Sequence, residues 1–271
     1  MSCLLDGRPA EALPLDDRGV NYGDALFETL RVVAGRPEAW SDHLARLARG
    51  ATRLGLPEPD PEALATDARA LFEDGGDGIL RLWWSRGSGG RGYRPPEPAT
   101  PRRMACRFPA VDRPAEAATV RGCTTRLARQ PLLAGLKHAN RLEQVMARAE
   151  WSDPAIHEGL VCDTDGILVE AVQSNLFWVR EGVLETPDLS ESGVAGIIRN
   201  RVLTLAEGAG LPTREVRRPP EALTAASEAF LTNSVFHLWP IARYEGQEWP
   251  SPGPVARELA DQLSYDLEQR P

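Results

Sequence analysis

Four short apolar runs follow one another at 159–163, 167–171, 174–180 and 183–186, and no other stretch limits the fold so tightly. Thr164-Asp165-Gly166 and Glu181-Gly182 divide them with residues that reverse a chain. Short runs rich in Val, Leu, Ile and Phe, broken by Asp-Gly or Gly, read as strands joined by tight turns. This part of the chain is therefore expected to form a β-meander, which a helical bundle cannot accommodate.

Elsewhere both periods occur. Residues 4–8 read as a short strand and turn, 25–33 as a strand ending in a turn at 34–37. Residues 42–54 read as a helix, with Asp42 as its N-cap and Leu44, Leu47, Ala51 and Leu54 on one face. A second helix is expected over 61–72, and strands over 79–85 and 104–109 with a glycine-rich loop at 86–93 between them. Residues 110–118 are polar and rich in Pro and Ala, which marks a linker. Beyond it a helix is expected at 139–151, with Leu142, Val145, Met146 and Ala149 on its apolar face. A helix at 196–208 follows the meander. Then come a strand at 213–217, a short helix after Pro219-Pro220, strands at 228–232 and 235–239, and a helix at 254–268. Strands and helices mix without strict βαβ alternation, so the expected class is α+β in two domains. A smaller N-terminal α/β domain would cover 1–112. A larger C-terminal domain, a β-meander or barrel with helices, would cover 113–271, with Lys137 near the seam.

The formal charge of −8 and pI near 5.2 argue against nucleic acid or an anionic membrane as main partner. No apolar run approaches a membrane span, and Asp6 and Arg8 bring charge too early for a signal peptide. The four cysteines form no C-x-x-C and the four histidines are scattered. No metal site is expected, and reduced thiols in the cytoplasm are the default.

The chemistry starts from one residue. Of the 31 Lys and Arg residues, Lys137 alone is lysine. The two types part where an amine must lose its proton, which arginine does not do. Partial burial lowers an amine pKa and leaves a nucleophile that condenses with aldehydes, as pyridoxal phosphate (PLP) enzymes require. Such a site also needs a carboxylate for the pyridine nitrogen, an anion cradle and a wall for the ring. Glu170, at the end of an apolar strand, is the candidate carboxylate. Gly193-Val194-Ala195-Gly196-Ile197-Ile198 is the candidate cradle, because a helix start aims N–H groups at an anion. Arg46 is a candidate for a further charge-assisted bond. Gly87-x-Gly89-x-x-Gly92 matches a dinucleotide fingerprint as a string, but Tyr93-Arg94-Pro95-Pro96 follows where a helix must start. The loop reads instead as flexible, or as an anion loop with Arg91 as its charge.

Taken in order, Tyr22 to Glu28, His43-x-x-Arg46-Leu47, Lys137, Val169-Glu170 with Ser174-Asn175-Leu176-Phe177, Gly193-x-x-Gly196-Ile197 and Leu231-Thr232-Asn233-Ser234 resemble the fold-type-IV PLP enzymes. That group includes branched-chain and D-amino-acid aminotransferases and aminodeoxychorismate lyase. Ser85 to Tyr93 and Leu136 to Gln144 are similar to the lyase branch. The resemblance implies PLP carried by Lys137, which also moves the proton, with Glu170 on the pyridine nitrogen. It implies Arg46, the Ile197 and Ile198 backbone with Gly196, and Ser234 on the phosphate, and Ser174 and Asn175 in the wall. It implies conversion of 4-amino-4-deoxychorismate to 4-aminobenzoate, a folate precursor, and pyruvate. Arg91, Arg141 and Tyr22 are candidates for contact with this dianionic substrate. Many transaminases of the group carry Thr where this chain has Ile198, and a tyrosine that this chain lacks after His138. The alternative is a D-amino-acid or branched-chain aminotransferase of the same fold. A non-catalytic binding protein is the reading outside enzymes, and the retained lysine counts against it. The family is generally homodimeric, so a homodimer is expected.

Overall fold

The computed structural model describes residues 2–269 in two compact units. The first comprises residues 2–111 with Leu136–Asn140, and the second Asp112–Gly135 with Arg141–Gln269.

The first unit is built on β1 (Ser2–Leu5), β2 (Arg8–Pro9), β3 (Ala25–Val33), β4 (Arg36–Pro37), β5 (Gly78–Ser85) and β6 (Arg102–Phe108). They form one antiparallel sheet in the order β2-β1-β6-β5-β3-β4. Its helices are α1 (Arg18–Tyr22), α2 (Trp40–Leu54) and α3 (Pro61–Leu71). Leu47 and Ala51 of α2 and Leu64 and Ala68 of α3 pack on Leu30, Leu80 and Leu82 of the sheet. Alternation along β3 points Leu26, Glu28, Leu30 and Val32 to this buried side. Asp60 caps α3 by accepting from the Glu62 and Ala63 N–H groups at 3.0 and 3.2 Å, with Pro61 at the first position. Helix α2 starts two residues earlier than expected. Its N-cap is Ala39 at φ 51°, and Asp42 lies inside the first turn, where its charge still complements the helix dipole.

Leu136–Asn140, assigned by sequence to the second domain, belongs to the first unit. The Phe27 N–H donates to the Lys137 carbonyl at 3.0 Å and the Ala139 N–H to the Ala25 carbonyl at 2.9 Å. This extended pairing prevents a helix from starting at 139.

The second unit contains β7 (Ala118–Leu127), α4 (Leu142–Arg148), β8 (Glu158–Asp163), β9 (Leu168–Ala171), β10 (Asn175–Arg180), β11 (Val183–Pro187), α5 (Ile197–Gly208), β12 (Thr213–Val216), a 3-10 turn (Pro220–Ala225), β13 (Glu228–Asn233), β14 (His237–Tyr244), β15 (Gln247–Glu248) and α6 (Pro254–Gln269). Nine strands form a mixed sheet in the order β12-β11-β10-β13-β14-β7-β8-β9, with β15 beside β14. The meander is present as expected. The Ala171 N–H donates to the Ser174 carbonyl at 2.7 Å, which brings the end of β9 to the start of β10 although they stand apart in the strand order. The sheet is therefore curled. The expected helix at 139–151 is cut to seven residues, and Leu142, Val145 and Met146 are exposed rather than packed. Strand β7 was not anticipated, and the second strand after residue 228 starts at His237 instead of 235.

The expectation of four reduced thiols is corrected at one pair. Register places Cys3 of β1 opposite Cys106 of β6, with Cα atoms 4.1 Å apart and a disulfide between them. Cys123 and Cys162 are free and buried. Among the described residues no helix is long and apolar enough to cross a membrane.

Candidate active site

Lys137 is half-buried in the first unit, its Nζ 4.5 Å from the centre of the Phe27 ring. An ammonium over an aromatic face is stabilised by the ring quadrupole. The next residue of β3, Glu28, is 1% exposed and lies at the centre of a polar cluster. Arg46 Nε donates to its Oε1 at 2.8 Å, and Arg46 Nη2 donates to Oε2. His43 Nδ1 lies 2.6 Å from Oε2. Burial alone would raise the Glu28 carboxyl, but the Arg46 charge and bonds, then His43, hold it down at about 2. Burial pushes His43 below its ordinary value despite Glu28, and Arg46 and Lys137 add to the fall. The carboxylate can only accept, so the neutral His43 ring must donate from Nδ1. Sequence reasoning named Arg46 and quoted Glu28 and His43 without giving them work. The signal was present: Glu28 occupies a core-facing position in an alternating strand.

The second cluster lies in the second unit. Glu170 is buried on β9, and its Oε2 accepts from the Val194 N–H at 2.9 Å. The Val194 carbonyl accepts from Asn175 Nδ2 at 2.8 Å. Gly193 makes this path possible with φ +81°, and a Cβ there would meet Val169 Cγ1 at 2.7 Å. A Cβ on Gly196 would stand 2.0 Å from Asn175 Oδ1. Gly196 is the N-cap of α5 and offers no side-chain cap, while Ile197 and Ile198 are buried at the first two positions. The leading N–H groups of a helix carry partial positive charge and suit an anion. Gly135 bridges to Val194, donating to the Gly193 carbonyl at 2.9 Å and accepting from Ala195 at 3.1 Å. Ser174 and Ser234 lie in the loops before β10 and after β13. A carboxylate and an uncapped helix start thus share one support, Val194. An acceptor carboxylate and helix-start donors are the groups that suit a PLP ring nitrogen and phosphate.

Of the candidate substrate residues, Tyr22 and Arg91 belong to the first unit and Arg141 to the second. Arg91 is exposed on the glycine-rich loop, and no helix follows that loop before β6. Tyr22 fixes this loop instead of standing apart from it: its hydroxyl accepts from the Gly92 N–H at 3.2 Å, and Arg18 stacks on its ring. Arg18 also donates to the Gly92 and Tyr93 carbonyls. Arg141 precedes α4 in the second unit.

A solved 4-amino-4-deoxychorismate lyase from Pseudomonas aeruginosa is 47% identical with TM-score 0.91, covering 98% of this chain and 99% of that one. An aminodeoxychorismate lyase from Vibrio harveyi is 34% identical over 90% of this chain and 92% of its own length. A D-alanine aminotransferase from Bacillus licheniformis is 28% identical over 98% and 97%. The family described as Amino-transferase class IV matches residues 25–244, from the start of β3 to the end of β14. With both clusters inside that span, the chain belongs to the class IV aminotransferase family.

Proposed function

We propose that this chain is a PLP-dependent lyase that converts 4-amino-4-deoxychorismate to 4-aminobenzoate and pyruvate. The observation that carries the reading is the pairing of Glu170 with the α5 start through Val194. The identity to two lyases over nearly the whole chain favours elimination over amino transfer.

Bound PLP supplies an electron sink for the pair released when a carbon loses its proton. Lys137 is assigned to carry the cofactor at Nζ and to move that proton. Glu170, held by the Val194 N–H, is assigned to the ring nitrogen, which a carboxylate would hold in its protonated form. The Ile197 and Ile198 N–H groups, Ser234 and the guanidinium of Arg46 are assigned to the phosphate, with Gly196 leaving room. Ser174 and Asn175 wall the ring. Arg91, Arg141 and Tyr22 are assigned to the substrate carboxylates, Tyr22 acting through the loop that it pins. Two domains divided at residue 112 (1–112 and 113–271) are proposed, with Leu136–Asn140 counted with the first as its contacts have it, and with the cytoplasm as the setting. A homodimer is the proposed assembly, and exposed Leu132, Leu142, Val145 and Met146 are the apolar surface it would cover.

The test is a coupled assay for 4-aminobenzoate with wild type and Lys137→Arg. That change keeps a charge and removes the carbonyl-reactive amine, so activity should fall by about a thousandfold or more. Borohydride should bleach the yellow colour and leave the cofactor label fixed on Lys137. Near-wild-type activity of Lys137→Arg, or glutamate formed from alanine and 2-oxoglutarate in place of 4-aminobenzoate, overturns the assignment.

A further inference from the structure

Glu158 opens β8 at 2% exposure, and no Lys, Arg or His forms an ion pair with it among the described residues. A carboxyl buried without a counter-charge is costly, and it persists where its oxygens have work to do. Its Oε2 accepts from the Gln173 N–H at 3.2 Å and the Ser174 hydroxyl at 3.3 Å, and Oε1 from the Gly159 N–H at 3.3 Å. The Ser174 oxygen in turn accepts from Asn233 Nδ2 at 3.0 Å. Asn233 Oδ1 accepts from the Val235 and Phe236 N–H groups at 2.9 and 2.8 Å. That closes an Asx turn, in which one side-chain oxygen fixes the backbone of the residues that follow. Three side chains from the start of β8, the loop before β10 and the end of β13 therefore act in series. Their far end is the turn that carries Ser234.

We propose that Glu158 is a positioning residue for the cofactor: through Ser174 and Asn233 it sets the turn at residues 234–236 and the wall at 173–174. This rests on the reading of Ser174 and Ser234 as PLP contacts. Burial pushes the Glu158 carboxyl up to about 7, against the pull of the Gly159 and Gln173 N–H groups and the Ser174 hydroxyl, and Glu170 adds to the rise. Near neutrality the group is thus partly a neutral acid. The carbonyl oxygen of an uncharged side chain can serve Ser174 as a carboxylate oxygen does, so geometry rather than charge is what Glu158 contributes.

The test compares full-length wild type, Glu158→Leu, Glu158→Gln, Asn233→Ala and the double variant Glu158→Leu/Asn233→Ala, each stripped of PLP and titrated with it by absorbance. Glu158→Leu should bind PLP about tenfold more weakly, the order expected for losing a buried acceptor. Glu158→Gln should stay within about twofold of wild type, since it keeps a carbonyl oxygen. Asn233→Ala, which cuts the same series at its other end, should resemble Glu158→Leu and keeps the test open if that variant does not fold. Adding Asn233→Ala to Glu158→Leu should cost no more than about a further twofold, because links in series do not add. Across the variants the loss of PLP affinity should not follow the melting temperature of the PLP-free chain, which separates positioning from bulk destabilisation. Wild-type PLP affinity in Glu158→Leu or Asn233→Ala, no rescue by glutamine, additive losses, or a fall in affinity that merely tracks melting overturns the inference. Failure of the wild-type chain to take up PLP sinks the cofactor assignment itself, and this inference with it.

Discussion

Glu28 carries a charge into the row of side chains that β3 turns toward the core, and the structure answers it with a fork from Arg46 and a bond from His43. Its ordinary carboxyl value of 4.5 falls to about 2 in the fold. A carboxyl depressed in this way stabilises the protein above its unfolded pKa, and that contribution is lost as pH falls through the folded value. Glu28→Gln should therefore cost on the order of 3 kcal/mol at neutral pH, partly because the buried Arg46 loses the charge of Glu28. The gap to wild type should close between about pH 4.5 and about pH 2 in urea melts. An equal gap at both ends of that window would show that charge is not the cause. At this scale the sequence displayed the residue types and their spacing, Lys137 above all. It did not display which acid meets which base, because Glu28 and Arg46 are eighteen positions apart and meet only once β3 and α2 have packed.

Elements were legible where the pattern is local. The meander, α5 and α3 follow from turn residues and apolar period. Strand β7 was missed because ATVRGCTTRL has no clean alternation, and its register with β8 shifts between Gly122 and Arg126. Its place between β14 and β8 comes from tertiary pairing. Helix α4 was overextended because the apolar spacing at 142–149 says nothing of Lys137 and Ala139 pairing with β3. The α5 start offers a paired test. Gly196→Ala would push Asn175 Oδ1 and with it the whole amide away, breaking the bond that Asn175 Nδ2 donates to the carbonyl of Val194, whose N–H holds Glu170. The expected cost is about 1–3 kcal/mol, with weaker PLP binding. Gly208→Ala, at the other end of α5 and with nothing near its added carbon, should stabilise by about 0.5–1 kcal/mol and leave PLP binding alone. Equal effects from the two would remove the special role of the α5 start.

At the scale of the whole chain, the wide spacing of the four cysteines and the absence of a C-x-x-C supported the expectation of reduced thiols. No count of cysteines reports that β1 returns to lie beside β6 with Cys3 opposite Cys106, 103 positions away. In the chain-entropy limit, closing a loop of that length stabilises by about 4–5 kcal/mol. The first unit should then melt lower in reductant and in Cys3→Ser, while the free and buried Cys123 and Cys162 leave both variants otherwise alike. Burial raises Cys123 to about 12 and also raises Cys162, so neither thiol reacts readily until the chain unfolds. Native protein should therefore take up alkylating reagent slowly, and denatured, unreduced protein should bind two equivalents per chain. Four equivalents would mean that Cys3 and Cys106 are thiols, the state that cytosolic reductants favour. The stabilisation assigned to the bond would then have to come from the β1–β6 pairing alone.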